Sequence, residues 1–150
     1  MGREEAVITE IRELLEFQPL AVLATQAQGA PYASLVAFVA SEDLKKLYFA
    51  TSRSTRKYAN LAADPRAALL VDSRSNAVSD FHQARAVTAV GRSGEVDDRE
   101  RDAVIRRYLE KHPHLKMFVH SPTCALLGLT VNTFYLVSTF QKVMEVHMTP

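Results

Sequence analysis

Apolar and polar residues follow two rhythms along this chain. Near the N-terminus Val7, Ile11, Leu14 and Leu15 recur at i, i+4, i+7 and i+8, with acids and bases between them. That spacing predicts an amphipathic helix from about Arg3 to Phe17, ended by Pro19. The rhythm then changes to that of strands. Residues 20–25 and 31–40 are β-rich, and the glycine within 26–30 suits a hairpin turn. Residues 47–51 predict a third strand. Residues 54–63 predict a short helix capped by Ser54 and stopped by Asp64-Pro65, and 67–71 form a nearly continuous apolar strand.

Residues 72–83 are polar and read as a loop, after which 84–90 resume strand character. Gly91 and Gly94 permit a bend or bulge before Glu95-Val96. Asp97-Asp98 opens a helix over 99–111 that carries Val104, Ile105, Tyr108 and Leu109 on one side, with these apolar residues expected in the core. A short helix or turn follows over 113–120, and residues 126–131 and 133–146 supply two or three closing strands. The order lacks regular βαβ alternation. It favours a mainly β, α+β architecture: an antiparallel barrel or sheet with peripheral helices rather than a doubly wound fold.

Composition narrows the function classes. At 150 residues with 47% apolar content, the chain reads as one globular domain spanning 1–150. A net charge of +1 leaves no global field toward nucleic acid or an anionic membrane, so neither is an expected partner. The mixed charges of 99–107 read as a solvated helix face. Nothing resembles a signal peptide or a membrane span, and the lone Cys124 excludes an intramolecular disulfide; a cytoplasmic protein is expected. Cys124 itself is expected to be a small buried hydrophobe at the start of a strand. His112, His114 and His120 cluster around Pro113, but no acid or thiol joins them at a ligand spacing, so a surface turn and no metal are expected. There is no nucleophile elbow, Walker loop or dinucleotide fingerprint.

The segment richest in chemistry is Ala50-Thr51-Ser52-Arg53-Ser54-Thr55-Arg56-Lys57, between a strand and the first turn of a helix. A helix N-terminus carries unpaired N–H groups and partial positive charge, which makes cations there unfavourable. Arg53, Arg56 and Lys57 crowd it, and no acid follows until Asp64. A bound phosphate resolves the conflict; a solvated basic turn is the other reading of the same residues.

Three stretches in fixed order resemble the pyridoxamine-phosphate-oxidase-like family of flavin-binding split barrels. The first holds Leu20 to Thr25, Gly29-Ala30-Pro31 and Ala33 to Val36. The second holds Leu47 to Ser52, Ser54 to Lys57, Asn60-Leu61 and Asp64-Pro65-Arg66, and the third Ala86 to Gly91 with Glu95-Val96. The resemblance implies an antiparallel split β-barrel with peripheral helices, and FMN as cofactor. It implies that Ser52, Thr55, Arg56 and Lys57 take the flavin phosphate, with Thr51 beside the phosphate or ribityl chain. Ser34, Leu35, Val36 and Ala37 would lie along the ring. A homodimer with the cofactor at the subunit interface is also implied.

Asp72-Ser73-Arg74-Ser75-Asn76 looks like a loop of one branch of the family, from which Arg74, Ser75 and Asn76 would reach a cofactor across the dimer; an ordinary polar turn is the other reading. Flavin supplies its own redox chemistry, so the implied activity is a flavin-dependent oxidoreductase or reductase acting on a small molecule. The last residues, Met148-Thr149-Pro150, hold no Arg-rich segment of the kind the oxidase uses on its substrate's phosphate, so oxidation of vitamin B6 is not expected. The alternatives within the family are a non-catalytic flavin-binding stress protein, a deazaflavin binder, or a haem-handling relative with His147 as ligand.

Overall fold

The computed structural model describes residues 2–139 and 142–150. Helix α1 (Arg3–Phe17) leads into the strands β1 (Leu20–Ala27), β2 (Ala30–Ala40) and β3 (Lys46–Ser52). Helix α2 (Arg56–Ala63) precedes β4 (Arg66–Asp72), the four-residue α3 (Asp80–Gln83) and β5 (Ala86–Glu95). Helix α4 (Asp98–Lys111), a 3-10 turn (Pro113–Leu115) and the short α5 (Lys116–Val119) then lead to β6 (Cys124–Thr139) and β7 (Lys142–His147).

Every pairing is antiparallel, in the order β3-β2-β1-β4-β5-β6-β7. A further pairing of β3 with β6 closes the first six strands into a barrel and leaves β7 outside the ring. The expected split-barrel class is the one observed.

Side-chain alternation explains which residues lie where. Leu23, Phe38, Phe49, Leu69, Val87 and Leu136 point inward and are essentially inaccessible, and the buried stripe of α1 joins their cluster through Ile11, Leu14 and Leu15. The outward residues Val39, Tyr48, Ala50 and Leu126 are also buried, because α4 packs Val104, Ile105 and Tyr108 against them. Covered on both faces, β3 reads as a continuous apolar run.

Several local expectations need correction. The hairpin turn is only Gln28-Gly29, both at positive φ (53° and 83°), with Ala27 paired to Ala30. Thr55, not Ser54, caps α2: its backbone is extended and its Oγ1 accepts from the Tyr58 amide at 3.3 Å, whereas Ser54 turns to Ser52 Oγ at 3.0 Å. The 72–83 loop contains α3, and β5 starts at Ala86 and runs on through Gly91 to Glu95. The closing strands are β6 and β7, but the break expected at Asn132 is absent, since the 16-residue β6 runs through it. Its register shifts where Val90 opposes Thr133 and Gly91 opposes Val131, so Asn132 is the extra residue of a bulge. His112 is no surface turn. It is 2% exposed, its Nε2 lies 2.8 Å from the Phe38 carbonyl, and Tyr108 packs beside it. Burial pushes its pKa down. His120 is exposed, as expected, and Cys124 is buried at the start of β6, where burial raises its thiol pKa.

Candidate functional site

A cavity of about 290 Å³ opens where the outer faces of β2 and β3 meet the start of α2. Leu35, Val36 and Ala37 line it from β2, Thr51 and Ser52 from β3, and Thr55 and Lys57 from the first turn of α2. Ala50, Tyr108, Leu115 and Phe118 complete the wall. Seven of the expected residues, Leu35, Val36, Ala37, Thr51, Ser52, Thr55 and Lys57, are thus brought together from two strands and a helix, while Ser34 and Arg56 are off the wall. The far wall, from α4 and the segment after it, was missed. Leu115 and Phe118, apolar and three apart beside the Pro113 turn, were its one local signal.

Hydrogen bonds fix the cavity's polar end. Thr55 Oγ1 donates to the Ser52 carbonyl at 2.8 Å and lies 2.9 Å from Thr51 Oγ1, which is buried. The Arg53 amide donates to the Thr123 carbonyl at 2.9 Å and ties the turn to the residue before β6. Asn60, buried in α2, donates to Thr25 Oγ1 at 3.0 Å and locks the helix to β1. Among the described residues, the Arg56 and Lys57 amides have no acceptor, as the first amides of a helix must unless something outside it supplies one. The first turn of α2 holds no acid, and neither Arg56 nor Lys57 forms an ion pair among the described residues.

The three cations of this turn have different fates. Arg53 bonds Glu95 through Nη1 and Nη2, and Tyr58 hydroxyl donates to Glu95 Oε1 at 2.7 Å while accepting from Arg53 Nη1 at 2.9 Å. These contacts hold the Glu95 carboxyl below the usual carboxylate range. Arg53 is therefore neutralised away from the cavity, contrary to its expected place in a three-cation cradle. Arg56 is exposed, its guanidinium 5.6 Å from the centre of the Tyr32 ring. Lys57 alone of the three lines the cavity.

Two polar atoms stand out for want of a partner. Ser34 Oγ, one residue from the cavity-lining Leu35, is buried without a hydrogen bond among the described residues, as is Ser93 Oγ. Tyr108 hydroxyl donates to the Ala37 carbonyl at 3.3 Å, and burial pushes its pKa up, so it stays a neutral donor.

The remaining expected residues lie elsewhere. Arg74 pairs with Asp72 at 3.1 Å; Asp80 accepts from the Ser75 amide and hydroxyl and from the Asn76 amide; Asn76 has φ 62°. The structure does not bring this loop to the cavity of its own chain. His147, on β7, is exposed but engaged: Nε2 lies 3.3 Å from Glu145 and Nδ1 3.1 Å from Thr133 Oγ1. No group of three or more metal-ligating side chains occurs among the described residues, nor does any helix long and apolar enough to cross a membrane.

Comparison with solved structures gives relatives of the same fold. A haem-binding protein from Mycobacterium smegmatis aligns with TM-score 0.82 at 20% identity, over 92% of this chain and 56% of its own. The chain thus spans little more than half of that relative. General Stress Protein 26 from Bacillus anthracis aligns with TM-score 0.72 at 17% identity over 95% of this chain and 98% of its own. An FAD-binding protein from Mesorhizobium loti aligns with TM-score 0.69 at 18% identity over 86% and 90%. The structural neighbours therefore include flavin-binding and haem-binding proteins. No curated protein matches the sequence. The family model for pyridoxamine 5′-phosphate oxidase matches residues 7–138, a stretch that takes in most of α1 and all of the closed barrel but the last residue of β6. On that match the chain belongs to the pyridoxamine 5′-phosphate oxidase family.

Proposed function

We propose that this protein binds FMN at the α2 cavity, as a homodimer, and acts as a flavin-dependent oxidoreductase on a small molecule. The observation that carries the reading is the meeting, in one cavity, of hydroxyls, an unpaired lysine and the acid-free start of α2. An anion there accepts from the free amides of Arg56 and Lys57, from Ser52 and from the Lys57 ammonium, with Arg56 alongside. Ser34 to Ala37 lie along the flavin ring, with Leu35, Val36 and Ala37 on the cavity wall. When bound, the flavin supplies the electron transfer; the chain orients it and keeps water from its apolar side through Leu115, Phe118 and Tyr108.

The dimer has its own support. Pairing registers set Leu35, Val22, Leu70, Thr88 and Tyr135 side by side across five strands, and Ala33, Ala24, Ala68, Val90 and Thr133 in the next row. On this outward face neither row carries a charge on these five strands, with Arg66 and Asp72 flanking them on β4, and Leu35 at its edge is 64% exposed. A second subunit covers it beside the cavity, and the loop of Arg74, Ser75 and Asn76 is assigned to the partner's cofactor. A cytoplasmic site fits the free buried Cys124. The haem alternative gains no support from His147, whose nitrogens are both engaged.

Titration of FMN and riboflavin into wild type and variants tests the reading. Charge-assisted hydrogen bonds contribute about 1.5–3 kcal/mol each, so Lys57→Gln and Arg56→Gln each weaken FMN binding roughly ten- to a hundred-fold. Riboflavin, lacking the phosphate, binds poorly and ignores both changes. Arg53→Ala leaves the ratio of the two affinities unchanged. Equal losses for both flavins sink the phosphate cradle, and a Soret band in the purified protein instead of flavin absorbance sinks the cofactor.

A further inference from the structure

A second cleft, of about 260 Å³, lies between α1, the end of β2 with the turn after it, and α4. It contains a concentration of positive charge that the flavin reading leaves unused. Arg12, Arg107 and Lys111 all line it, and none of them forms an ion pair among the described residues. Each is instead anchored to a main-chain carbonyl: Arg12 Nη1 to Glu42 at 2.7 Å, Arg107 Nε to Ala40 at 2.6 Å, Lys111 Nζ to Leu15 at 2.8 Å. A single carbonyl satisfies one donor of a lysine's three or an arginine's five. The heads are thus fixed in place with most of their hydrogen-bonding capacity unspent.

Burial separates these cations from the acids nearby. Arg12, Arg107 and Lys111 are all half-buried, whereas the two carboxylates on the same cleft, Glu16 and Glu110, are exposed, where water screens them. Lys111 shows the imbalance: despite Glu16 and a ring contact 3.8 Å from the centre of Phe38, burial pulls its pKa down to about 8. A half-buried cation left short of an anion is a cost that a bound anion offsets. The rest of the wall is apolar, with Leu15, Val39 and Leu44. The cleft suits a compact occupant, since no second subunit is proposed to extend it as one extends the α2 cavity.

We propose that this cleft is a second ligand site, taking a small organic anion whose carboxylate or phosphate group lies among Arg12, Arg107 and Lys111. Arginine forks suit both groups equally, so the cleft's chemistry names the class and the titrant decides between them. The test is calorimetric titration of succinate and, separately, inorganic phosphate into the full chain at pH 7 and matched ionic strength. Saturable binding of succinate alone assigns a carboxylate, of phosphate alone a phosphate ester, and of both the shared oxyanion. Arg12→Gln and Lys111→Met each weaken that binding roughly ten- to a hundred-fold, with the fold checked by circular dichroism. The doubly substituted Arg56→Gln, Lys57→Gln protein, which lacks the cations of the α2 cavity, keeps it. Binding of neither anion overturns the proposal. So does binding that survives both Arg12→Gln and Lys111→Met, or binding lost with Arg56 and Lys57.

Discussion

At the scale of single residues, Thr55 shows how much one hydroxyl is asked to do. It caps α2, donates to the Ser52 carbonyl and meets Thr51 on the cavity wall. Thr55→Ala therefore lowers stability by about 1 kcal/mol, read as a shifted denaturant midpoint with unchanged slope, and Thr55→Ser recovers most of it. No loss in the alanine variant would mean that the cap is not made. Lys111 gives a pH-dependent expectation. With its folded pKa at about 8 and its ordinary value at 10.5, the unfolded chain holds more protons between those values. Its contribution to stability therefore rises with pH across that window, and its penalty is complete below it. Lys111→Met removes the penalty, so its melting temperature gains on wild type at pH 7 and the gain shrinks by pH 9.5. A gap constant with pH refutes the assignment. The sequence disclosed the hydroxyl and cation run after β3, because helix-start chemistry is local. It hid Arg53's partner, because Glu95 lies 42 residues away and meets it only once the barrel forms. His112 was hidden likewise, since the Phe38 carbonyl that holds it is 74 residues distant.

Among the elements, the longer helices and most strands were legible from local pattern, whereas α3, four residues inside a polar stretch, was not, and the strand bounds fail where a bulge interrupts the alternation. Asn132 breaks the alternation of β6 in sequence, yet the strand continues because the extra residue is taken up opposite Val90 and Gly91. Gly91 is required there by space. A Cβ on it would stand 1.9 Å from the Thr130 carbonyl oxygen, which belongs to rigid backbone. Gly91→Ala is expected to cost roughly 3 kcal/mol, at the upper end of overpacking effects, whereas Gly94→Ala, with nothing within 4 Å of its Cβ, costs far less. Equal unfolding midpoints for the two variants would remove the argument. The wall formed by Leu115 and Phe118 was illegible for a related reason: a turn of α5 has too few residues to declare which face it buries.

For the molecule as a whole, the two uncharged rows across β2, β1, β4, β5 and β6 decide its expected state in solution. Light scattering at micromolar concentration should give twice the 16.7 kDa of one chain. Val22→Asp combined with Leu70→Asp places charge at the centre of that face and should yield the monomer and, on the proposed function, weaken FMN binding; a dimer that persists in this variant rules out this face as its interface. The ring itself was legible only as a class, since composition and strand order favour a barrel without naming the pair that closes it. That pair is β3 with β6, which matches Thr51 to Ala125 and Ser52 to Cys124. Contacts so distant along the chain form late, because the intervening loop must be ordered first. A ribosome must therefore have made the chain as far as β6 before the strand bearing Thr51 and Ser52 gains its second neighbour. Until then the Thr51 and Ser52 stretch of the cavity wall lies on an open sheet edge, where another chain could pair with it.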